Sequence, residues 1–321
     1  MKNKPAIIIC GDPKSTFIEI LIKSLKNNSF KKVNFPIILI CSKKLIMNEL
    51  KRFKAKINIH DFNSLKNLKN KSVYIIDIPL DLKKLSLSKI NTYINNSFEV
   101  GLNLIRENNF FSLVNGPISK TNFLKGNYVG ITEFLAHKTG TLNEVMLIFN
   151  KKLSVSPITT HIPLSKVEQK IKKKIIINKI HKINDFYKKI LGFKPNIAIT
   201  GLNPHCETFK GKNIEKTEIL PAVKILKKSK VKIFGPFSAD TIFLKDNRIK
   251  YNVIVGMYHD QVLGPMKTIY GFDAINITIG LPFLRITPDH GPNYKMYKLN
   301  KSKPESLIQA FNFIKKYANK T

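Results

Sequence analysis

Three histidines stand where an α/β chain most readily does chemistry. His161 ends the segment SVSPITTH, His205 follows NIAITGLNP, and His259 follows YNVIVGMY. In an open α/β sheet, ligands collect outside the carboxyl ends of the strands. Neutral imidazole is the commonest nitrogen ligand for a divalent ion, and three of them would leave positions open for a substrate. These three lie too far apart in sequence for one helix or hairpin to present them. They form a site only if separate strand ends converge, and three unrelated loop histidines bonded to nearby backbone are the competing reading. His60 and His181 lie in lysine-rich stretches and read as exposed surface.

The flanking residues add to this set. Asp260 follows His259 directly, and Asp240 lies in GPFSADTIF. A carboxylate near a cation can ligate it, orient a histidine, or accept a proton. Asp240, just before Thr241, could equally cap a helix. Lys267 lies beyond His259, and Arg285 follows the run that holds Asn276. Such cations suit a phosphate or carboxylate. Phosphate-cradle motifs are missing: there is no GxxxxGK[ST], and Cys10-Gly11-Asp12-Pro13 stands where GxGxxG would follow a first strand. A dinucleotide would have to bind by another route. No Ser/His or Cys/His nucleophile motif stands out either.

The elements that must position these residues alternate along the chain. Strand-like runs occur at 6–10, 36–42, 72–78, 110–116, 144–150, 196–202, 231–235, 251–258 and 274–280. Several are apolar throughout, as expected for parallel strands covered on both faces. A capping box, Ser165 with Glu168, predicts an amphipathic helix running to about Leu191, and another helix spans about Pro304 to Ala318. The alternation predicts an α/β fold with a mostly parallel sheet.

Composition bounds the rest. The 321 residues are 43% hydrophobic, enough for a sizeable core and about two domains. Three cysteines cannot build a disulfide framework, so a reducing, cytoplasmic setting is expected. No apolar run approaches a membrane span, and the start MKNKPAIIICGD is too short in apolar residues for a signal peptide. The net charge of +34 would attract a polyanion. However, the basic residues are mostly lysines scattered along the chain together with many Asn and Ile, a pattern that A/T-rich codons explain. Lys170, Lys172, Lys173 and Lys174 alternate with apolar Val167, Ile171 and Ile175. A solvated basic surface is the expectation, with nucleic-acid binding a remote alternative.

In order, GDP (11–13), NGPISK (115–120), GITEFLA (130–136), TTHIPL (159–164), GLNPHC (201–206), GPFSADTIF (235–243), MYHDQ (257–261) with Lys267, and NITIGLPFLR (276–285) with DHG (289–291) resemble the 4-hydroxythreonine-4-phosphate dehydrogenase family. The resemblance covers nearly the whole chain. It implies an isocitrate/isopropylmalate dehydrogenase-like fold, a two-lobed α/β/α architecture with a cleft between lobes. The lobes would be 1–127 with 270–321, and 128–269. It also implies a homodimer with the active site at the interface.

Carried over by motif, a divalent metal (Zn, Mg, Mn or Co) falls to His161, His205 and His259. Substrate contacts fall to Thr132, Lys267, Asn276 and Arg285, and NAD or NADP to the loop with Leu281, Asp289, His290 and Gly291. Asp240, Asp260 and Lys120 are candidates for the catalytic base. The implied activity is oxidation of 4-phosphooxy-L-threonine at C3, then decarboxylation to 3-amino-2-oxopropyl phosphate, in vitamin B6 biosynthesis. A phosphorylated sugar acid is the alternative substrate.

The chain departs from the family pattern at Ile131, where members carry a substrate-contacting histidine. Losing that charge-assisted bond would cost about 1.5–3 kcal/mol of binding. The family's glycines are also missing after Pro13, and its glycine-rich stretch after His205 reads Glu207-Thr208-Phe209-Lys210-Gly211, so those loops are expected to differ in shape.

Overall fold

A computed structural model describes residues 4–28, 30, 33–108, 110, 112–124, 128, 130–206, 213–271, 273–288 and 291–317, without the side chain of Lys120. The chain forms two compact units, 1–135 with 282–321, and 136–281.

The first unit begins with β1 (Ala6–Ile9), α1 (Phe17–Lys26), β2 (Ile37–Cys41), α2 (Lys43–Arg52), β3 (Ile59–Asp61), β4 (Val73–Asp77), α3 (Leu87–Asn108) and β5 (Ser112–Asn115). Helix α4 (Ile131–Lys138) starts in it. The second unit holds β6 (Val145–Phe149), β7 (Ser154–Pro157), α5 (Val167–Lys170), α6 (Lys173–Phe186), β8 (Ile197–Thr200), α7 (Leu220–Lys228), β9 (Ile233–Phe237), α8 (Lys245–Arg248), β10 (Val253–Gly256), α9 (His259–Tyr270) and β11 (Ile275–Ile279). The chain then returns to the first unit with β12 (Leu284–Pro288) and α10 (Glu305–Tyr317).

Strand order in the first unit is β3-β4-β2-β1-β5-β12, and its strand pairs are parallel. The second unit runs β11-β6-β7-β10-β8-β9, with β6 antiparallel to both β11 and β7 and the rest parallel. The uniformly apolar strands are buried along their whole length, as IIII-type runs covered on both faces should be. Residues 270–281 pack with the second unit because β11 pairs with β6 from Ile275 to Ile279. This places Asn276 in that unit, whereas the expected lobe boundary put it in the other.

Two local expectations differ from the structure. The Ser165–Glu168 box caps nothing: Lys166 is the N-cap of α5, without a side-chain bond, and α5 stops at Lys170. Lys172 is extended (φ −130°, ψ 139°), and α6 starts afresh with Glu218 accepting from the Lys173 backbone N–H. That carboxylate, from the short helical segment Glu215–Ile219 that runs into α7, satisfies one of the orphan donors of a helix start. Asp240 sits in a turn, not at a helix N-cap.

Candidate active site

The carboxyl edge of the second unit's sheet carries all three histidines. Strands β7, β10 and β8 are neighbours in that order, and His161, His259 and His205 follow their ends. Pairing of β7 with β10 continues beyond the strands: Ile158 N–H donates to Gly256 O at 2.8 Å, and Thr159 donates its N–H and hydroxyl to Met257 O at 3.1 and 2.8 Å. Two residues further along each chain segment, the rings of His161 and His259 meet, with centroids 5.6 Å apart and planes at 39°. His259 Nδ1 lies 2.6 Å from Asp260 Oδ1. A ring that donates from Nδ1 to a carboxylate keeps Nε2 as its lone-pair nitrogen, the arrangement that orients metal-ligating histidines.

His205 stands on the same edge with different partners. Its Nδ1 lies 3.4 Å from Ser238 Oγ and 3.7 Å from Asp240 Oδ2. The Asp240 carboxyl is held below its usual range by the Ser238 hydrogen bond and by the nearby His205, so it is ionised at neutral pH. His205 and Cys206 both adopt left-handed backbone (φ 55° and 57°), a conformation that costs a non-glycine residue about 1 kcal/mol or more and that surrounding bonds must impose.

The donor chemistry of the pair fits a divalent cation. Two imidazoles sharing one ion at about 2.1 Å have centroids about 5 Å apart, close to the spacing of His161 and His259. Among the described residues of this single chain, no three His, Cys, Asp or Glu side chains gather closely enough to hold a metal. The structure therefore joins two of the three sequence-derived ligands and leaves His205 beside Asp240.

Lys267 lies within α9, and Asn276 on β11, paired with Ile148 of β6. Asn276 Oδ1 is buried and accepts no hydrogen bond among the described residues. Buried acceptors are nearly always satisfied, so this one marks a place for a donor.

The first unit holds the other polar centre. Arg285, on β12, is 1% exposed. Its Nε donates to Asn115 Oδ1 at the end of β5 (2.8 Å), and its Nη1 donates to Thr132 Oγ1 in the first turn of α4 (2.9 Å). Burial pushes the guanidinium down to about 9, opposed by the charge of Glu133. It remains a cation at pH 7, suited to an anionic group.

Nearby in this unit, Gly11 has φ 73°, and a Cβ there would lie 2.5 Å from Pro117 O, which instead accepts from Asp12 N–H at 3.0 Å. Asp12 in turn accepts from the Lys14 backbone and from the Tyr294 hydroxyl at 2.6 Å. Thr16 N–H donates to Pro292 O. The GDP loop thus holds the segment around Pro292 and Tyr294, beside Gly291 of the expected dinucleotide loop. Asp289 and His290 lie outside the described residues, as do Glu207–Gly211 and the side chain of Lys120. Leu281 is half-buried at the end of the second unit.

Sequence reasoning missed Asn115 as a partner of Arg285, Tyr294 as a partner of Asp12, and two buried polar residues, Gln261 and Glu215. Asn115 and Gln261 lie inside motifs already noted, NGPISK and MYHDQ. Glu215 lies outside every such motif.

The matching family model is that of the pyridoxal phosphate biosynthetic protein PdxA, aligned over residues 33–314. The chain belongs to this family. It is 38% identical to the 4-hydroxythreonine-4-phosphate dehydrogenase of Sulfurihydrogenibium sp. (strain YO3AOP1), covering 94% of this chain and 95% of that one. It is 29% identical to the D-threonate 4-phosphate dehydrogenase of Salmonella typhimurium, covering 96% and 97%. The crystal structure of the 4-hydroxythreonine-4-phosphate dehydrogenase from Klebsiella pneumoniae superimposes with a TM-score of 0.82 at 28% identity, covering 97% and 98% of the two chains. An isocitrate dehydrogenase structure from Methylococcus capsulatus, at 12% identity and TM-score 0.53 over 97% and 85%, shares the fold. Both the expected family and the expected fold class are thereby met. No helix among the described residues is long and apolar enough to cross a membrane.

Proposed function

We propose that this PdxA-family chain is an NAD-dependent dehydrogenase that oxidises 4-phosphooxy-L-threonine at C3. The resulting β-keto acid loses CO2 to give 3-amino-2-oxopropyl phosphate, a step of vitamin B6 biosynthesis. The observation that carries this reading is the pairing of His161 and His259, with His259 oriented by Asp260, in a chain of this family.

His161, His259 and His205 would hold the metal, which when bound supplies Lewis acidity to the substrate oxygens. Arg285, fixed by Asn115 and Thr132, binds an anionic group of the substrate, and Lys267 binds another. Asn276 Oδ1 accepts a hydrogen bond from a substrate hydroxyl or ammonium. Asp240 is ionised and stands beside His205, so it can take the proton of the C3 hydroxyl; Asp260 is committed to His259. The dinucleotide is assigned to Leu281 and to the segment from Asp289 to Gly291, on either side of β12, with the GDP loop bonded to Pro292 and Tyr294. The protein acts as a homodimer in the cytoplasm.

A second substrate is favoured by one residue. Ile131, at the first position of α4 beside Thr132, has no hydrogen-bond donor, and relatives at comparable identity are named for D-threonate 4-phosphate. Purified chain with NAD, a divalent metal and each substrate in turn, followed at 340 nm, decides between them. Turnover of phosphothreonate but not of phosphohydroxythreonine would overturn the vitamin assignment.

A further inference from the structure

The left-handed His205–Cys206 turn needs an outside frame, and the structure supplies one from two buried polar residues, Glu215 and Gln261. Glu215 is 1% exposed. Its Oε1 accepts from the backbone N–H groups of Leu202 (3.0 Å) and Asn203 (2.8 Å), and its Oε2 accepts from Asn203 Nδ2 (3.0 Å). Three donors on one carboxylate fix the first half of the 201–206 loop from below. Gly201 starts this loop against Cys206: a Cβ there would lie 2.7 Å from Cys206 Sγ, which would have to turn away.

Gln261 provides the second tie. It lies one residue beyond Asp260 on α9, at 9% exposure. Its Nε2 donates to Gly201 O (2.9 Å), while its Oε1 accepts from Thr200 Oγ1 (2.9 Å) and from Met257 N–H (2.7 Å). One amide therefore joins the end of β8, which leads to His205, to the start of α9, which carries His259. Thr159 makes the corresponding tie between the His161 and His259 segments.

We propose that Glu215 and Gln261 are positioning residues of the metal centre: Glu215 shapes the loop that presents His205, and Gln261 locks that loop in register with His259. The inference rests on the reading of the three histidines as metal ligands. Neither residue touches the cation, and both act through the backbone that carries the imidazoles.

The test is calorimetric titration of Zn2+ into the full-length, chelator-stripped chain and its variants, with thermal unfolding of each metal-free variant measured separately. The wild type is expected to bind Zn2+, and His205→Ala to bind it more weakly. Glu215→Gln and Gln261→Met should each weaken binding by about 10- to 100-fold, the range for outer-shell partners of metal ligands. Glu19→Gln, a buried carboxylate of the other unit, should lose stability but keep its Zn2+ affinity.

Wild-type affinity in both Glu215→Gln and Gln261→Met, with His205→Ala impaired, overturns the frame and leaves the metal reading standing. A wild type that binds no Zn2+, or a His205→Ala variant that binds it fully, overturns the metal reading and the frame with it. Should Glu215→Gln and Gln261→Met fail to fold, Asn203→Ala decides. It removes only the Nδ2 bond, so a severalfold weaker affinity supports the frame and an unchanged one refutes it.

Discussion

Replacing Thr132 by Val takes one oxygen away from a buried guanidinium and changes little else. The two side chains have nearly the same shape, both are β-branched, and their helix propensities are close, so α4 is not itself weakened. Arg285 is held through Nε by Asn115 at 2.8 Å and through Nη1 by Thr132 at 2.9 Å. Removing the acceptor of a charged, buried donor costs about 1.5–3 kcal/mol, a large share of the roughly 5–15 kcal/mol that a domain has in total. At about 2–4 °C per kcal/mol for a unit of this size, the melting temperature should fall by about 3–12 °C.

Urea unfolding followed by circular dichroism is the assay, with a lower midpoint and an unchanged slope expected. A double-mutant cycle with Asn115→Ala should show coupling, since both residues grip one guanidinium. If Arg285 also binds the substrate anion, the Michaelis constant should rise about tenfold for each 1.4 kcal/mol of grip that is lost. A midpoint within about 0.5 kcal/mol of the wild type would refute the claim that this bond secures Arg285.

Other perturbations test other parts of the molecule. Glu19, 3% exposed, accepts from Lys23 and from the Ser302 backbone N–H; Glu19→Gln should cost about 1.5–3 kcal/mol by denaturant titration, and an unchanged midpoint would count against that role. Burial and Asp12 push the Tyr294 phenol up to about 12. The protonated phenol is thus favoured in the folded state, so its contribution is complete below pH 10 and lost as pH rises through 12. Tyr294→Phe should flatten alkaline destabilisation in that window; an identical pH profile would remove Tyr294 from the account. On the proposed metal reading, Zn2+ added to the chelator-treated chain should raise the melting temperature of the wild type but not of His259→Ala. Ile131→His should raise the preference for phosphohydroxythreonine over phosphothreonate, read as the ratio of kcat/KM values.

Much of this was legible in the sequence because the central strands are short runs of Ile, Val and Leu buried on both faces. Three strands were not legible, each for a physical reason. Ile59–Asp61 is a three-residue edge strand whose polar residues face water. Ser154–Pro157 looks like loop sequence, yet its serines are buried and satisfied by Tyr187 and by Met146 O. Leu284–Pro288 contains a charged residue that reads as surface until Asn115 and Thr132 are seen beside it.

The helix predicted from Ser165 breaks at Lys172 because a distant carboxylate, Glu218, caps a new start, and no local pattern reports that. The three histidines of the sheet edge were visible by type and position. Their neighbours Glu215 and Gln261 were not, since a buried Glu or Gln is distinguished from an exposed one only by tertiary contacts.

The order in which the chain builds its first unit has a bearing on its synthesis. Strand β5 pairs with β1 on one side and with β12 on the other, and β12 is separated from β5 by the whole of residues 136–281. As the polypeptide leaves the ribosome from its amino end, β5 stays an open edge until Leu284–Pro288 emerge, with unpaired amide groups exposed for the entire interval. Exposed edges of this kind recruit other chains. Pairing of β12 with β5, which also sets Arg285 between Asn115 and Thr132, closes this edge, and a delay in translation between residues 136 and 288 should raise aggregation more than a delay of equal length after 288.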